Sequence, residues 1–197
     1  MPIPFRDVDD ADQLGAAAFL KIEPSARDAT YLGALFLIDA RGQPLEFAYN
    51  LVETPHTILW RPTDLKRHAE RELTASLLSI CATTPLLLFY LAEEVGQDLF
   101  TRDIAVAVPV GRVDRAASTA SEATRFVEDS EPAVPIDVFW HPAPPAVESA
   151  ERALVDRLAA RGLLLEPFAR AADGLREVYG PKLDDSERQR SAPPNTT

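Results

Sequence analysis

The chain has a single cysteine, Cys81, in 197 residues. One thiol excludes an internal disulfide and a cysteine-built metal site. Cys81 falls near the end of an apolar helix face, where an inert buried thiol is expected rather than a nucleophile. Histidine is almost as scarce. His56, His68 and His141 fall on a loop, a helix surface and a proline connector, and no spacing brings two of them together, so no metal site is expected from them. No apolar run approaches the roughly 18 residues of a membrane-spanning helix. The first residues carry Asp7, Asp9, Asp10 and Asp12 and lack a basic stretch followed by an apolar one. No secretory signal is expected, and the chain is read as cytoplasmic with no membrane partner. Also missing are the glycine-rich phosphate loop, the dinucleotide fingerprint, the paired-histidine zinc motif and the serine nucleophile elbow.

Basic charge is in short supply as well. Twenty Lys and Arg against 31 Asp and Glu leave a net charge of −11. Such a surface repels phosphate backbones unless a local basic patch or a bound divalent metal reverses the field. Glycine is low at 8 residues against 17 prolines, which indicates stiffened loops and extended connectors. The length suits one hydrophobic core.

What is present is organised around Tyr31 to Val95. Residues 1–14 read as an acidic N-terminal arm. Gly15 to Ile22 reads as a first strand closed by Glu23-Pro24, since proline has no N–H for a ladder. Leu32 to Ile38 is a continuous apolar run of strand length, expected to be buried on both faces. The turn Asp39-Ala-Arg-Gly42 leads into a strand over Leu45 to Val52, and together they predict an antiparallel hairpin. Thr57 to Trp60 is expected to be a short strand or extended arm. Thr63 is the predicted N-cap of a helix whose apolar stripe is Leu65, Ala69, Leu73, Leu77 and Ile80. Leu86 to Leu91 is the next buried strand, and Ile104 to Val108 a further one ended by Pro109. Gly111 to Glu131 reads as a polar loop with some helix, and Val134 to Trp140 as an extended segment. Helices are expected over Val147 to Arg161, with Gly162 as its stop, and over Phe168 to Tyr179, halted by Gly180-Pro181. Residues 182–197 are charged and then proline-rich, and are expected to be a disordered tail. The fold class is α+β: one domain over residues 15–181 with a mixed, mostly antiparallel sheet, in the order β-β-β-(β)-α-β-β, then the C-terminal helices.

Two constellations carry candidate chemistry. The first is acidic. Glu23 ends the first strand, Glu70 and Glu72 lie on the first helix, and Glu93 and Glu94 follow the fourth strand. Three antiparallel strands, a helix and a strand resemble the opening order of a ribonuclease-H-like domain. That resemblance implies acids gathered from the first strand, the helix and the end of the fourth strand around Mg²⁺ for phosphodiester hydrolysis. The alternative is a set of solvated strand ends and a solvated helix face, with no cofactor.

The second constellation is aromatic and basic. Trp60 and Arg61 precede Lys66, Arg67 and Arg71 on the helix, and Trp140 precedes a stiff proline segment. Trp and Arg are enriched at interface anchors, although Trp60 could equally plug the end of the core. With no catalytic motif, the leading expectation is a non-catalytic accessory subunit that binds a protein partner through these residues. The competing expectation is a metal-dependent nuclease, and only that reading brings nucleic acid as a partner.

Overall fold

The computed structural model describes residues 14–25, 30–55, 57–115, 123–127 and 135–191. Seven strands form one sheet, in the spatial order β3-β2-β1-β4-β5-β7-β6. They are β1 (Ala16–Pro24), β2 (Thr30–Asp39), β3 (Pro44–Glu53), β4 (Leu87–Leu91), β5 (Val110–Asp114), β6 (Thr124–Val127) and β7 (Pro135–His141). Among the described residues three α-helices accompany them: α1 (Pro62–Ile80), α2 (Ala150–Ala160) and α3 (Glu166–Ser191). The class is α+β with a mixed, mostly antiparallel sheet, as expected. The parallel pairs are β1 with β4 and β4 with β5, and they occupy the centre.

The alternation of side chains along β1 explains the layering. Ala17 and Phe19 point into a core shared with Leu154 and Leu158 of α2 and Phe168, Ala171 and Leu175 of α3. Ala18, Leu20 and Ile22 point the other way, toward Leu73 and Leu77 of α1. A strand with apolar residues on both faces must be covered on both, and helices do this here. Phe19 lies opposite Phe89 of β4 in the parallel register. Their rings stack at 5.3 Å, and the edge of Phe168 meets Phe19 at 5.2 Å.

The hairpin turn is built as its residues predict. Asp39 Oδ1 accepts the N–H groups of Arg41 and Gln43, each at 2.8 Å. Gly42 takes φ +85°, a left-handed value that glycine adopts without a steric penalty. Gly162 ends α2 the same way, at φ +67°.

Several local expectations are corrected. Thr57–Leu59 is a short 3₁₀ turn, not a strand. Helix α1 begins at Pro62, whose missing N–H would be unpaired in a first turn anyway, so Arg61 and not Thr63 holds the cap position. Of the expected stripe, Leu65, Ala69, Leu73 and Leu77 are buried, whereas Ile80 is exposed. The strand predicted over Ile104 to Val108 lies beyond it, in β5. Part of the polar stretch Gly111 to Glu131 is therefore strand, in β5 and β6. Helix α2 starts at Ala150 behind Ser149, whose hydroxyl accepts the Arg152 N–H at 3.1 Å; Val147 precedes it. Helix α3 continues past Gly180-Pro181 to Ser191. Of the expected arm over residues 1–14, only Leu14 is among the described residues, packed against the core. His56, residues 116–122 and 128–134, and the end of the tail from residue 192 lie outside them.

Candidate active site

Because β1 and β4 run parallel, their carboxyl ends fall on the same side of the sheet. Open sheets with parallel strands place ligands at such ends. Lys21 and Glu23 lie on the last part of β1. Beyond Leu91 the chain turns, with the N–H groups of Glu94 and Val95 both donating to the Leu91 carbonyl at 3.1 Å. Val95 is buried in the core on the α1 side, and this anchors the turn that carries Glu94.

The Lys21 ammonium donates to Glu94 Oε1 and lies 3.6 Å from Glu23 Oε2. Only 12% of the Lys21 side chain and 15% of that of Glu94 are exposed. The second Glu94 oxygen, Oε2, is buried without a hydrogen-bond partner among the described residues. Burial pushes the Glu94 carboxyl above its ordinary range, and the Lys21 hydrogen bond and charge pull against it.

The other candidate glutamates divide. Glu93 lies within electrostatic reach of Glu94 and faces Arg115 at 3.8 Å. Glu70 is buried on α1, accepts the Gly96 N–H at 3.2 Å and lies 3.6 Å from the Lys66 ammonium. Burial raises its carboxyl as well. Glu72 is exposed beside Arg71 at 3.5 Å and does not join. Thus Glu23 and Glu94 meet at Lys21, Glu93 lies at the edge beside Arg115, and Glu70 holds the turn from the α1 side.

These residues do not fit a divalent-metal centre as arranged. The Lys21 ammonium fills the place between Glu23 and Glu94 that a cation would take. Among the described residues no group of three or more His, Cys, Asp or Glu side chains is disposed to hold a metal. Lys21 was missed on the sequence. Its signal was a lone cation inside the apolar strand Ala-Ala-Ala-Phe-Leu-Lys-Ile, which has to find an acid once buried.

The basic patch is largely neutralised. Arg61 pairs with Asp64 at 2.7 Å, and Arg67 makes two bonds to Asp103 at 2.7 and 2.6 Å. Those bonds hold the Asp103 carboxyl below its usual range. Trp60 is 41% exposed, with its ring 5.7 Å from that of His68, so it does not plug the core. Trp140 packs on its own domain. Its ring meets Phe89 at 5.8 Å, and its Nε1–H donates to Thr124 at 3.1 Å. Burial raises the Cys81 thiol, which keeps it protonated and unreactive.

No family model and no curated protein matches the sequence. Solved structures do match in shape. Endonuclease V from Bacillus subtilis aligns over 89% of this chain and 85% of its own, with a TM-score of 0.57 and 10% identity. The Streptomyces avermitilis endonuclease V aligns over 86% and 83%, with a TM-score of 0.57 and 13% identity. Endonuclease V from Ciona intestinalis, in complex with DNA containing an inosine followed by a ribo-adenosine, aligns over 84% and 86%, with a TM-score of 0.52 and 9% identity. This likeness in fold overturns the expectation of a non-catalytic accessory subunit that binds a protein partner. That expectation rested on missing motifs, and a site gathered from distant strand ends leaves no short motif to find. The chain shares the fold of endonuclease V.

Proposed function

We propose that this chain is a nuclease that cleaves phosphodiester bonds of nucleic acid at the cluster of Lys21, Glu23 and Glu94. The observation that carries the reading is the position of this cluster, at the carboxyl ends of β1 and β4, in a fold shared with proteins named for cleaving nucleic acid.

The chain's own residues supply a complete set of roles. A carboxyl raised by burial holds a proton closer to neutrality than a solvated one, which suits an acid–base group. Glu94 takes a proton from the attacking water as the water oxygen bonds to phosphorus. The P–O bond to the leaving group breaks, and the proton passes to that oxygen. Lys21 pairs with the charge that develops on the phosphate oxygens, and Glu23 orients the ammonium. Mg²⁺, implied by the nuclease expectation on the sequence, has no step here because Lys21 fills its place.

An overall charge of −11 opposes a polyanion, so the strand must meet local cations. Trp60 with Arg61, Lys66, Arg67 and Arg71 is the proposed contact face. Since Arg61, Lys66, Arg67 and Arg71 already face acids, few phosphates can be neutralised, so binding should be weak and its dependence on salt shallow.

The test is cleavage of single- and double-stranded oligonucleotides, with and without inosine, in chelator and in added Mg²⁺ or Mn²⁺. The expected result is cleavage that survives chelation and is lost in Glu94→Gln. Failure to cleave under every condition would refute the nuclease reading. Cleavage only with metal would keep that reading and sink the metal-free step.

A further inference from the structure

The other face of the sheet centre carries a feature the acid cluster does not use. The register between β4 and β5 sets Tyr90 beside Arg112, and that between β5 and β7 sets Arg112 beside Phe139. Three side chains thus form a row across three strands, on the face where Phe100 packs on Tyr90 with ring centres 5.4 Å apart. Phe100 belongs to the π-helical turn Leu99–Asp103. The row and that turn, with Gln97, line an open cavity of about 390 Å³, within the size range of small-molecule sites.

Asp98 also lines this cavity and is offset by Arg102 at 3.6 Å, while Thr101 donates to the Gln97 carbonyl; Arg112 and Tyr90 have no such partner among the described residues. The Arg112 guanidinium carbon lies 4.5 Å from the centre of the Phe139 ring. That contact uses a face of the guanidinium and leaves its N–H edges. No acid or carbonyl among the described residues pairs with them, whereas Arg61, Arg67, Arg71 and Arg125 each face a carboxylate. Tyr90 is only 4% exposed, and its hydroxyl has no hydrogen-bond partner among the described residues. Burial pushes its pKa up to about 12, so the group stays a donor at neutral pH. Neither group is among the fully buried polar atoms that lack a partner, so both open onto the cavity, where an anion can accept from both.

We propose that this cavity binds one nucleotide unit, with its phosphate on Arg112 and Tyr90 and its ring against Phe100 and Phe139. Donors without acceptors select the anion, and aromatic walls select the ring. The choice of a nucleotide over another aromatic anion rests on the nuclease reading. The unit can come from a free mononucleotide or from a strand that runs past the cleavage cluster.

Calorimetric titration of the full chain with adenosine and guanosine monophosphate, and anisotropy with a short single strand, test the proposal. Arg112→Gln should weaken the affected ligand at least about tenfold, the scale of a lost charge-assisted hydrogen bond. Tyr90→Phe is the second variant. It removes only a hydroxyl with no partner among the described residues, so it should fold as well as the wild type and still bind more weakly. A loss for the mononucleotide alone makes the occupant a free nucleotide, and a parallel loss for the strand makes it a unit of the polymer. Unchanged affinity for both ligands in both variants, or no binding of either ligand by the wild type, overturns the proposal. The two readings fail separately. Mononucleotide binding without any strand cleavage leaves the cavity assignment and sinks the nuclease, whereas normal cleavage with no effect of Arg112→Gln or Tyr90→Phe does the reverse.

Discussion

Lys21→Met removes the ammonium from the centre of the acid cluster while keeping an unbranched side chain of similar length. Lys21 and Glu94 are 12% and 15% exposed, so solvent screens their attraction little. Breaking a buried pair by removing one partner typically costs about 3–5 kcal/mol, because the other charge is left in a poor medium. Glu23, at 30% exposure, can still turn to water, which argues for the lower end, about 3 kcal/mol. For a chain of this size, that corresponds to a melting temperature lower by roughly 6–12 °C.

The pH dependence follows from Glu94. Its carboxyl is raised in the fold, so the folded state holds the proton more tightly than the unfolded state does. Stability therefore falls as pH rises from the ordinary glutamate range through the folded value. Without Lys21 that window extends further toward neutrality. The deficit of Lys21→Met should be largest near about pH 7 and shrink toward about pH 5, and Lys21→Met/Glu94→Gln should recover part of it. Urea or thermal unfolding at the two pH values reads this directly. A single variant that melts within about 2 °C of the wild type at neutral pH, or a deficit equal at both, would refute the buried cluster.

Trp60→Ala should cost less than about 2 kcal/mol of folding stability, since 41% of the residue is exposed; a core plug would lose about 3–5 kcal/mol. The same variant should weaken strand binding by about 1–3 kcal/mol if a base stacks there, and unchanged anisotropy would remove Trp60 from the contact face. Gly174→Ala sets two effects against each other. Alanine gains about 1 kcal/mol in a helix interior, but its Cβ would lie 2.5 Å from the Phe47 ring. Phe36 and Tyr49 flank that ring at 6.0 and 5.8 Å and restrict its escape. Overpacking of about 1–3 kcal/mol should win, and a variant more stable than the wild type would show that the ring can move.

The parts of the fold with local signals were legible. The Asp39 to Gly42 turn between two apolar runs specified the hairpin, and the four leucine and alanine steps on α1 specified its buried face. Prediction failed where a local pattern competed with a ladder. Val106 and Val108 alternate like a strand and pack against the core from outside the sheet. Pro109 was read as the stop, yet its carbonyl accepts the Leu88 N–H at 3.1 Å and the ladder starts just after it. A residue with no donor can still open a strand through its acceptor. The acid cluster was half visible: Glu23 and Glu94 were singled out, but their convergence depends on β1 lying parallel to β4, which no periodicity reveals. Arg112 lay in a stretch read as a polar loop, and only the register shows it beside Tyr90 and Phe139.

The central position of the parallel pair has a consequence in time. The meander from β1 to β3 closes through short connections, whereas Phe19 meets Phe89 only after a long segment has been brought back. Closing that loop costs entropy before its contacts repay it, so non-local parallel pairing is a slow step. Hydrogen exchange during refolding should protect the β2 and β3 amides before those of β4, and simultaneous protection would contradict this order. Lys21 then meets Glu23 early, on a strand already placed. Glu94 completes the cluster only when the middle of the sheet closes, so the site is among the last features of the molecule to exist.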